Sequence, residues 1–286
     1  MSDPILEARD LHYRYDREIC ALHGLDLAVR RGRKLAVLGA NGAGKSTLFL
    51  HLNGTLRPER GEIRIDGRPA GYHRRELLEW RQQVGLVFQN PDDQLFAATV
   101  EQDISFGPLN LGLGESEVRR RVDESLQVLG LEELRERPVQ SLSFGQKRRA
   151  AIAGIVAMRP RVLILDEPTA GLDPQGIESL MSLLDERHAS GTTLVMATHD
   201  VDLACAWADD VAILRRGRVE KQGAVEEVLS DRQSMAASGL RVPLVFEVAS
   251  RLRAGGYLPN RGPLPRSRQA LLDWLDQGGP EKYREV

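Results

Sequence analysis

Apolar positions in this chain come as short continuous runs separated by stretches of three-to-four spacing. Leu35-Ala36-Val37-Leu38, Val84-Gly85-Leu86-Val87-Phe88, Val162-Leu163-Ile164-Leu165, Thr193-Leu194-Val195-Met196-Ala197 and Val211-Ala212-Ile213-Leu214 read as strands buried on both faces. Between them, residues 74–83, 175–187 and 201–207 read as helices. Strands alternating with helices predict an α/β fold, a parallel sheet with helices on both sides. Residues 5–37 behave differently, alternating short apolar and polar segments around turns at Gly24 and Arg31-Gly32, which predicts flanking antiparallel strands. After a turn at 58–61, residues 62–67 alternate like a half-exposed strand.

The character changes at Asn90. Residues 98–137 carry Leu, Val and charged side chains at helical spacing, and residues 141–158 continue as another helix that ends before Pro160. A helical insert between two core strands predicts a subdomain. The expected division is an α/β core with an antiparallel β subdomain over 1–89 and 160–230, a helical subdomain over 90–159, and a C-terminal extension over 231–286. In that extension Pro243, Gly255-Gly256, Pro259, Gly262, Pro263 and Pro265 separate two short helices, roughly 244–253 and 267–277. Leu271, Leu272 and Leu275 can pack back on the body or against a second copy. The chain contains no internal repeat.

Composition narrows the function. The chain has 39 Lys+Arg against 41 Asp+Glu, so there is no overall basic footprint for nucleic acid. Short basic patches, Arg30-Arg31 and Arg119-Arg120-Arg121, read as solvated faces. Cys20 and Cys205 are far apart, lack metal-ligand spacing and suit a reducing compartment as free thiols. Met1-Ser2-Asp3-Pro4 has neither the basic nor the apolar region of a secretory signal. The longest apolar runs fall short of the ~18–20 residues that span a bilayer. A soluble protein is expected, one that serves a membrane only through partners.

The strand 35–38 runs into Gly39-Ala40-Asn41-Gly42-Ala43-Gly44-Lys45-Ser46-Thr47, followed by an apolar helical start. Strand, glycine-rich loop and helix is the context of the phosphate-binding motif G-x-x-x-x-G-K-[ST]. Glycines let backbone N–H groups converge on phosphate oxygens, Lys45 reaches the β- and γ-phosphates, and the Ser46 hydroxyl ligates Mg²⁺. Asp166-Glu167 closes a wholly apolar strand and is followed by Pro168, which places two carboxylates where α/β sheets bind ligands. Asp166 is expected to hold Mg²⁺ and Glu167 to polarise the attacking water. Gln89 ends another core strand, where its amide can join the Mg²⁺ shell and orient water. His199 ends a third, placed to donate a hydrogen bond to the γ-phosphate. Asp173 alone is an ordinary helix-start aspartate. Leu142-Ser143-Phe144-Gly145-Gln146 opens a helix with a hydroxyl and a glycine, an anion cradle that a single chain cannot easily aim at its own phosphate loop. A second copy facing head to tail can.

These motifs, in this order over residues 39–199, resemble the ATPase domains of ABC transporters. The resemblance implies a P-loop NTPase fold and ATP with Mg²⁺ as cofactors. It implies that Tyr15 stacks on adenine, that Lys45, Ser46 and Thr47 hold phosphates and metal, and that Gln89 and Asp166 lie on the Mg²⁺ side. Glu167 is then the catalytic base, and His199 contacts the γ-phosphate and water. Ser143, Gly145 and Gln146 close over ATP bound by the opposite subunit, with Asp173 bridging the sites. Phe144 departs from the commoner Gly at the third signature position. Residues 87–96, then Thr99-Val100-Glu101-Gln102-Asp103-Ile104, Phe106-Gly107-Pro108 and the run 146–154 look like ATPases of energy-coupling-factor importers, especially those for cobalt. That implies a peripheral protein at the cytoplasmic face of the cell membrane, partnered by a second copy and by integral membrane scaffold and substrate-binding subunits.

Nickel or vitamin uptake remains an alternative. A nucleic-acid-acting ATPase of the same type is a competing reading, although only residues 90–141 separate Gln89 from the signature and no sustained heptads appear. A module that binds nucleotide without cleaving it is disfavoured by Glu167 and His199.

Overall fold

The computed structural model describes residues 3–16, 19–257 and 262–276. Strands β1 (Pro4–Tyr15) and β2 (Ile19–Arg30) form an antiparallel hairpin, after which β3 (Lys34–Leu38) leads into helix α1 (Lys45–Leu52). Strand β4 (Arg60–Ile65) returns to β1, and β5 (Arg68–Pro69) pairs with β4. Helix α2 (Arg74–Gln83) enters β6 (Val84–Val87). The insert holds α3 (Val100–Asn110), α4 (Glu115–Val128) and α5 (Phe144–Ala157), and the chain rejoins the sheet at β7 (Val162–Asp166). Then follow α6 (Pro174–Ala189), β8 (Thr193–Thr198), α7 (Val201–Trp207), β9 (Asp210–Arg215) and β10 (Arg218–Ala224). Helices α8 (Val225–Leu229), α9 (Arg232–Ala237), α10 (Leu244–Ala254) and α11 (Arg268–Asp276) complete the described chain.

Two sheets result, of order β2-β1-β4-β5 and β10-β9-β3-β8-β7-β6. In the larger, β9, β3, β8, β7 and β6 are parallel, and β10 pairs antiparallel at the edge. Alternate residues of each core strand serve opposite faces. Val162 and Ile164 pack with α1 and the smaller sheet, while Leu163 and Leu165 pack with the helical insert and the C-terminal helices. Burial on both sides explains why these strands read as unbroken apolar runs.

Strand β10 and helices α8 and α9 lie outside the elements expected from sequence. Arg218-Val219-Glu220-Lys221-Gln222 is an edge strand with little to bury, so it lacks the apolar signal. The Arg216-Gly217 turn, with both residues at positive φ, is its visible mark. Helix α5 starts at Phe144, capped by Ser143, with only a short 3₁₀ turn over Val139–Ser141 before it. In the extension, Phe246, Ala249 and Leu264 are buried in the main core and Leu271 packs against it, whereas Leu272 and Leu275 face solvent. The expected break at Pro259 and the helix end at Gln277 lie outside the described residues.

His51, on α1, is fully buried. Its Nδ1 donates to the Thr47 carbonyl at 2.7 Å, Nε2 has no partner among the described residues, and the Tyr13 ring meets it edge-on at 4.8 Å. Burial pushes its pKa down, opposed by the bond to Thr47. The unfolded chain therefore protonates first, so stability should fall as pH drops below about 6.5 towards the lowered folded value. The slope should approach about 1.4 kcal/mol per pH unit. Denaturant titrations between neutral and mildly acidic pH should show this loss, and a His51→Gln variant should not share it.

Candidate active site

The ends of four parallel strands meet along one edge of the sheet. Leu38 pairs with Thr198, Asp166 with Ala197 and Val87 with Leu165. Loop 39–44, Gln89, Glu167 and His199 consequently emerge side by side. Gly44, at φ 105, turns the loop into α1, and a Cβ there would lie 2.9 Å from the Ala21 carbonyl oxygen. No side chain caps α1, so its N-terminal dipole faces outward towards any bound anion.

One open cleft gathers most of the expected residues: Asn41 to Thr47 of the loop with Tyr15, Gln89, Asp166 and Glu167. The Tyr15 hydroxyl lies 3.3 Å from Thr47 Oγ1. Lys45 is buried, donating from Nζ to the carbonyls of Gly39 at 2.7 Å and Ala40 at 3.4 Å, and lies 3.8 Å from Glu167 Oε1. Asp166 is buried, and its Oδ1 has no hydrogen-bond partner among the described residues. Burial raises its pKa, opposed by a hydrogen bond from Ser46 and by the Lys45 charge. An orphaned buried carboxylate oxygen next to a serine hydroxyl suits a hard cation.

Glu167 sits at φ 47, a left-handed conformation that costs a non-glycine residue about 1–2 kcal/mol. His199 Nδ1 lies 2.9 Å from Glu167 Oε2, so the imidazole donates to the carboxylate and fixes its orientation. In the neutral ring, Nε2 is then an acceptor. Donation from His199 to a γ-phosphate, as expected from sequence, requires a second proton or a rotated ring.

The signature residues lie elsewhere. Ser143, Gly145, Gln146 and Asp173 line a second cleft that shares no residue with the first. Ser143 Oγ accepts from the Gln146 backbone N–H at 3.3 Å, and Gln146 Oε1 accepts from the Ser143 backbone N–H at 2.9 Å, a reciprocal capping box. Gln146 thus orients Ser143 and has less side-chain capacity for a ligand than the sequence suggested. Asp173 caps α6 through Oδ1, accepting from the Gly176 N–H at 2.7 Å.

Two residues without an expected role hold the site together. Gln94 accepts from the Phe88 N–H at 3.0 Å and donates to the Ala151 carbonyl at 2.9 Å, tying the loop after Gln89 to α5. Arg148 reaches the carbonyls of Phe88 and Asp166. Nothing in the sequence around Arg148 marks its side chain as pointing inward.

Comparison with known proteins identifies the family. The family described as ABC transporter matches residues 22–170. The cobalt import ATP-binding protein CbiO of Rhodobacter capsulatus is 58% identical over 269 residues, 94% of this chain and 96% of that protein. The energy-coupling factor transporter ATP-binding protein EcfA of Methanocaldococcus jannaschii is 48% identical, over 89% of this chain and 91% of its own. The solved structure of cbiO1 from Clostridium perfringens, part of the ABC transporter complex cbiONQ, superposes with a TM-score of 0.71 at 45% identity, covering 87% of this chain and 100% of that one. The chain belongs to the ATP-hydrolysing subunits of ABC transporters, in their energy-coupling-factor group.

Proposed function

We propose that this chain powers uptake of cobalt ion, with two copies closing head to tail over two ATP molecules. The observation that carries the reading is the separation of the two clefts. The phosphate-binding groups face one opening and the anion-cradling signature another, which supports a site completed by a second chain. In the closed pair, Lys45 leaves the Gly39 and Ala40 carbonyls for the β- and γ-phosphates, and Tyr15 stacks on adenine. Glu167, held by His199, takes the proton of the attacking water. Gln89 orients that water. Ser143 and Gly145, set by the Gln146 capping box, meet the partner's triphosphate, and Asp173 lies between the sites. Asp166, Ser46 and Gln89 would hold Mg²⁺, which neutralises charge developing on the phosphoryl oxygens. ATP makes contacts available only in the closed state, so it shifts the open–closed equilibrium by that difference.

Among the described residues no helix is long and apolar enough to cross a membrane. Phe96, Phe106 and Leu109 form an exposed apolar patch beside the loop that begins at Gln89, with the two rings edge-on at 4.7 Å. This patch supports docking of integral membrane scaffold and substrate-binding subunits, with the chain peripheral at the cytoplasmic face. Near-balanced charge supports no nucleic-acid partner. The test is purification from detergent extracts followed by reconstituted uptake. Membrane subunits should co-purify and ATP-dependent Co²⁺ uptake should appear. Preferential uptake of nickel or a vitamin would replace the substrate. ATPase stimulation by nucleic acid without membrane partners would overturn the reading.

A further inference from the structure

We propose that Phe144 and Arg148 form a positioning unit that links a nucleotide held at the signature cleft to the catalytic loops of the same chain, making the two sites of the dimer cooperative. The inference rests on the paired-chain reading above and extends it to communication between sites.

Arg148 is 1% exposed, an unusual place for a guanidinium. Its Nη1 donates to the Phe88 carbonyl at 3.1 Å and the Asp166 carbonyl at 3.4 Å, while Nε is buried without a hydrogen-bond partner among the described residues. Phe88 directly precedes Gln89, and Asp166 directly precedes Glu167. One side chain therefore grips the backbone of both loops that carry the water-orienting amide and the base. Its guanidinium carbon lies 5.4 Å from the centroid of the Phe144 ring, one turn earlier on α5.

Phe144 extends the link outward. It lies between Ser143 and Gly145, and 47% of its surface is exposed. The ring covers Gly171 so closely that a Cβ there would sit 2.6 Å from Cδ1 and Cε1. The backbone two residues before Asp173 is thereby in contact with the start of α5. Movement of that helix start on meeting the partner's triphosphate shifts the Phe144 ring, the guanidinium stacked on it, and the two carbonyls the guanidinium holds. A displacement of about 1 Å at a catalytic group is enough to change a rate on the order of 10²-fold. A pair that only packed α5 onto the sheet would influence stability and turnover, but not how one site responds to occupancy of the other.

The experiment measures ATP hydrolysis against ATP concentration for the full chain and its Phe144→Ala, Phe144→Trp, Arg148→Gln and Arg148→Lys variants. Melting temperatures are recorded alongside. The native chain should give a Hill coefficient above 1. Phe144→Ala and Arg148→Gln should bring it to about 1 and lower kcat on the order of 10-fold, with monomer affinity for ATP little changed. Phe144→Trp, which keeps a π face, should restore the cooperativity. Arg148→Lys, which lacks the planar fork, should not. If Arg148→Gln fails to fold, the Phe144 pair decides alone. A Hill coefficient of 1 in the native chain, or one unchanged in the variants, would overturn the proposal. ATP-trapped dimers of Glu167→Gln chains carrying the same changes separate the two readings: their persistence leaves pairing intact while coupling is judged, and their absence without the extra changes overturns pairing itself.

Discussion

Replacing Glu167 by Gln should reduce phosphate release by about 10²–10⁴-fold while leaving ATP-driven dimers. The substitution keeps shape, and the amide oxygen still accepts from His199 Nδ1, now 2.9 Å from the carboxylate. What disappears is the basic oxygen proposed to take the proton from water. The carboxylate also opposes the γ-phosphate electrostatically, with about 1–4 kcal/mol between unit charges near 4 Å, depending on the local dielectric. The variant should therefore bind ATP more tightly than the native chain and accumulate as a closed pair. Phosphate release and size-exclusion chromatography with ATP read the two effects separately. Normal hydrolysis by the variant would place the base elsewhere.

How much of this was legible in the chain depends on what each signal reports. Strands buried on both faces, such as Val162–Asp166, declare themselves because neither face tolerates polar side chains. Edge strand β10 does not, since its residues are exposed or only half-buried and form no apolar run. The phosphate loop is visible because its chemistry is local: glycines, lysine and serine act within nine consecutive residues. Convergence of Gln89, Asp166 and Glu167 on that loop follows from parallel strands ending along one edge. The separation of Ser143 from the phosphate loop also follows from the intervening helical insert. The commitment of Gln146 to a capping box stands in the Ser-x-x-Gln spacing from Ser143. The hydrogen bond from His199 to Glu167 and the positive φ of Glu167 were not legible. They depend on rotamers and ångström-scale distances between residues that sequence spacing does not relate. Arg148 was hidden for another reason. A charged residue in a helix ordinarily reads as a solvated face, and only the tertiary fold shows that this one points inward.

Two inactive variants mixed together should recover activity. Lys45→Ala removes the ammonium proposed to bind phosphate from one cleft, and Gly145→Asp puts a negative charge and a side chain into the other. Each homodimer then carries the same lesion in both composite sites and should be nearly inert. In a head-to-tail heterodimer the lesions segregate. One site combines the Lys45→Ala loop of the first chain with the Gly145→Asp signature of the second and is doubly defective. The other combines an intact phosphate loop with an intact signature. Random mixing makes about half the dimers heterodimers, each with one working site, so turnover should reappear at up to about a quarter of the native value. Coupling between sites lowers the recovered rate below that ceiling without abolishing it. Substituting Glu167→Gln in the chain that supplies the intact phosphate loop should erase the recovery, whereas the same change in the Lys45→Ala chain should spare it. Were hydrolysis confined to one chain, with its own signature folded onto its own loop, no mixture of the two variants would be active at any ratio.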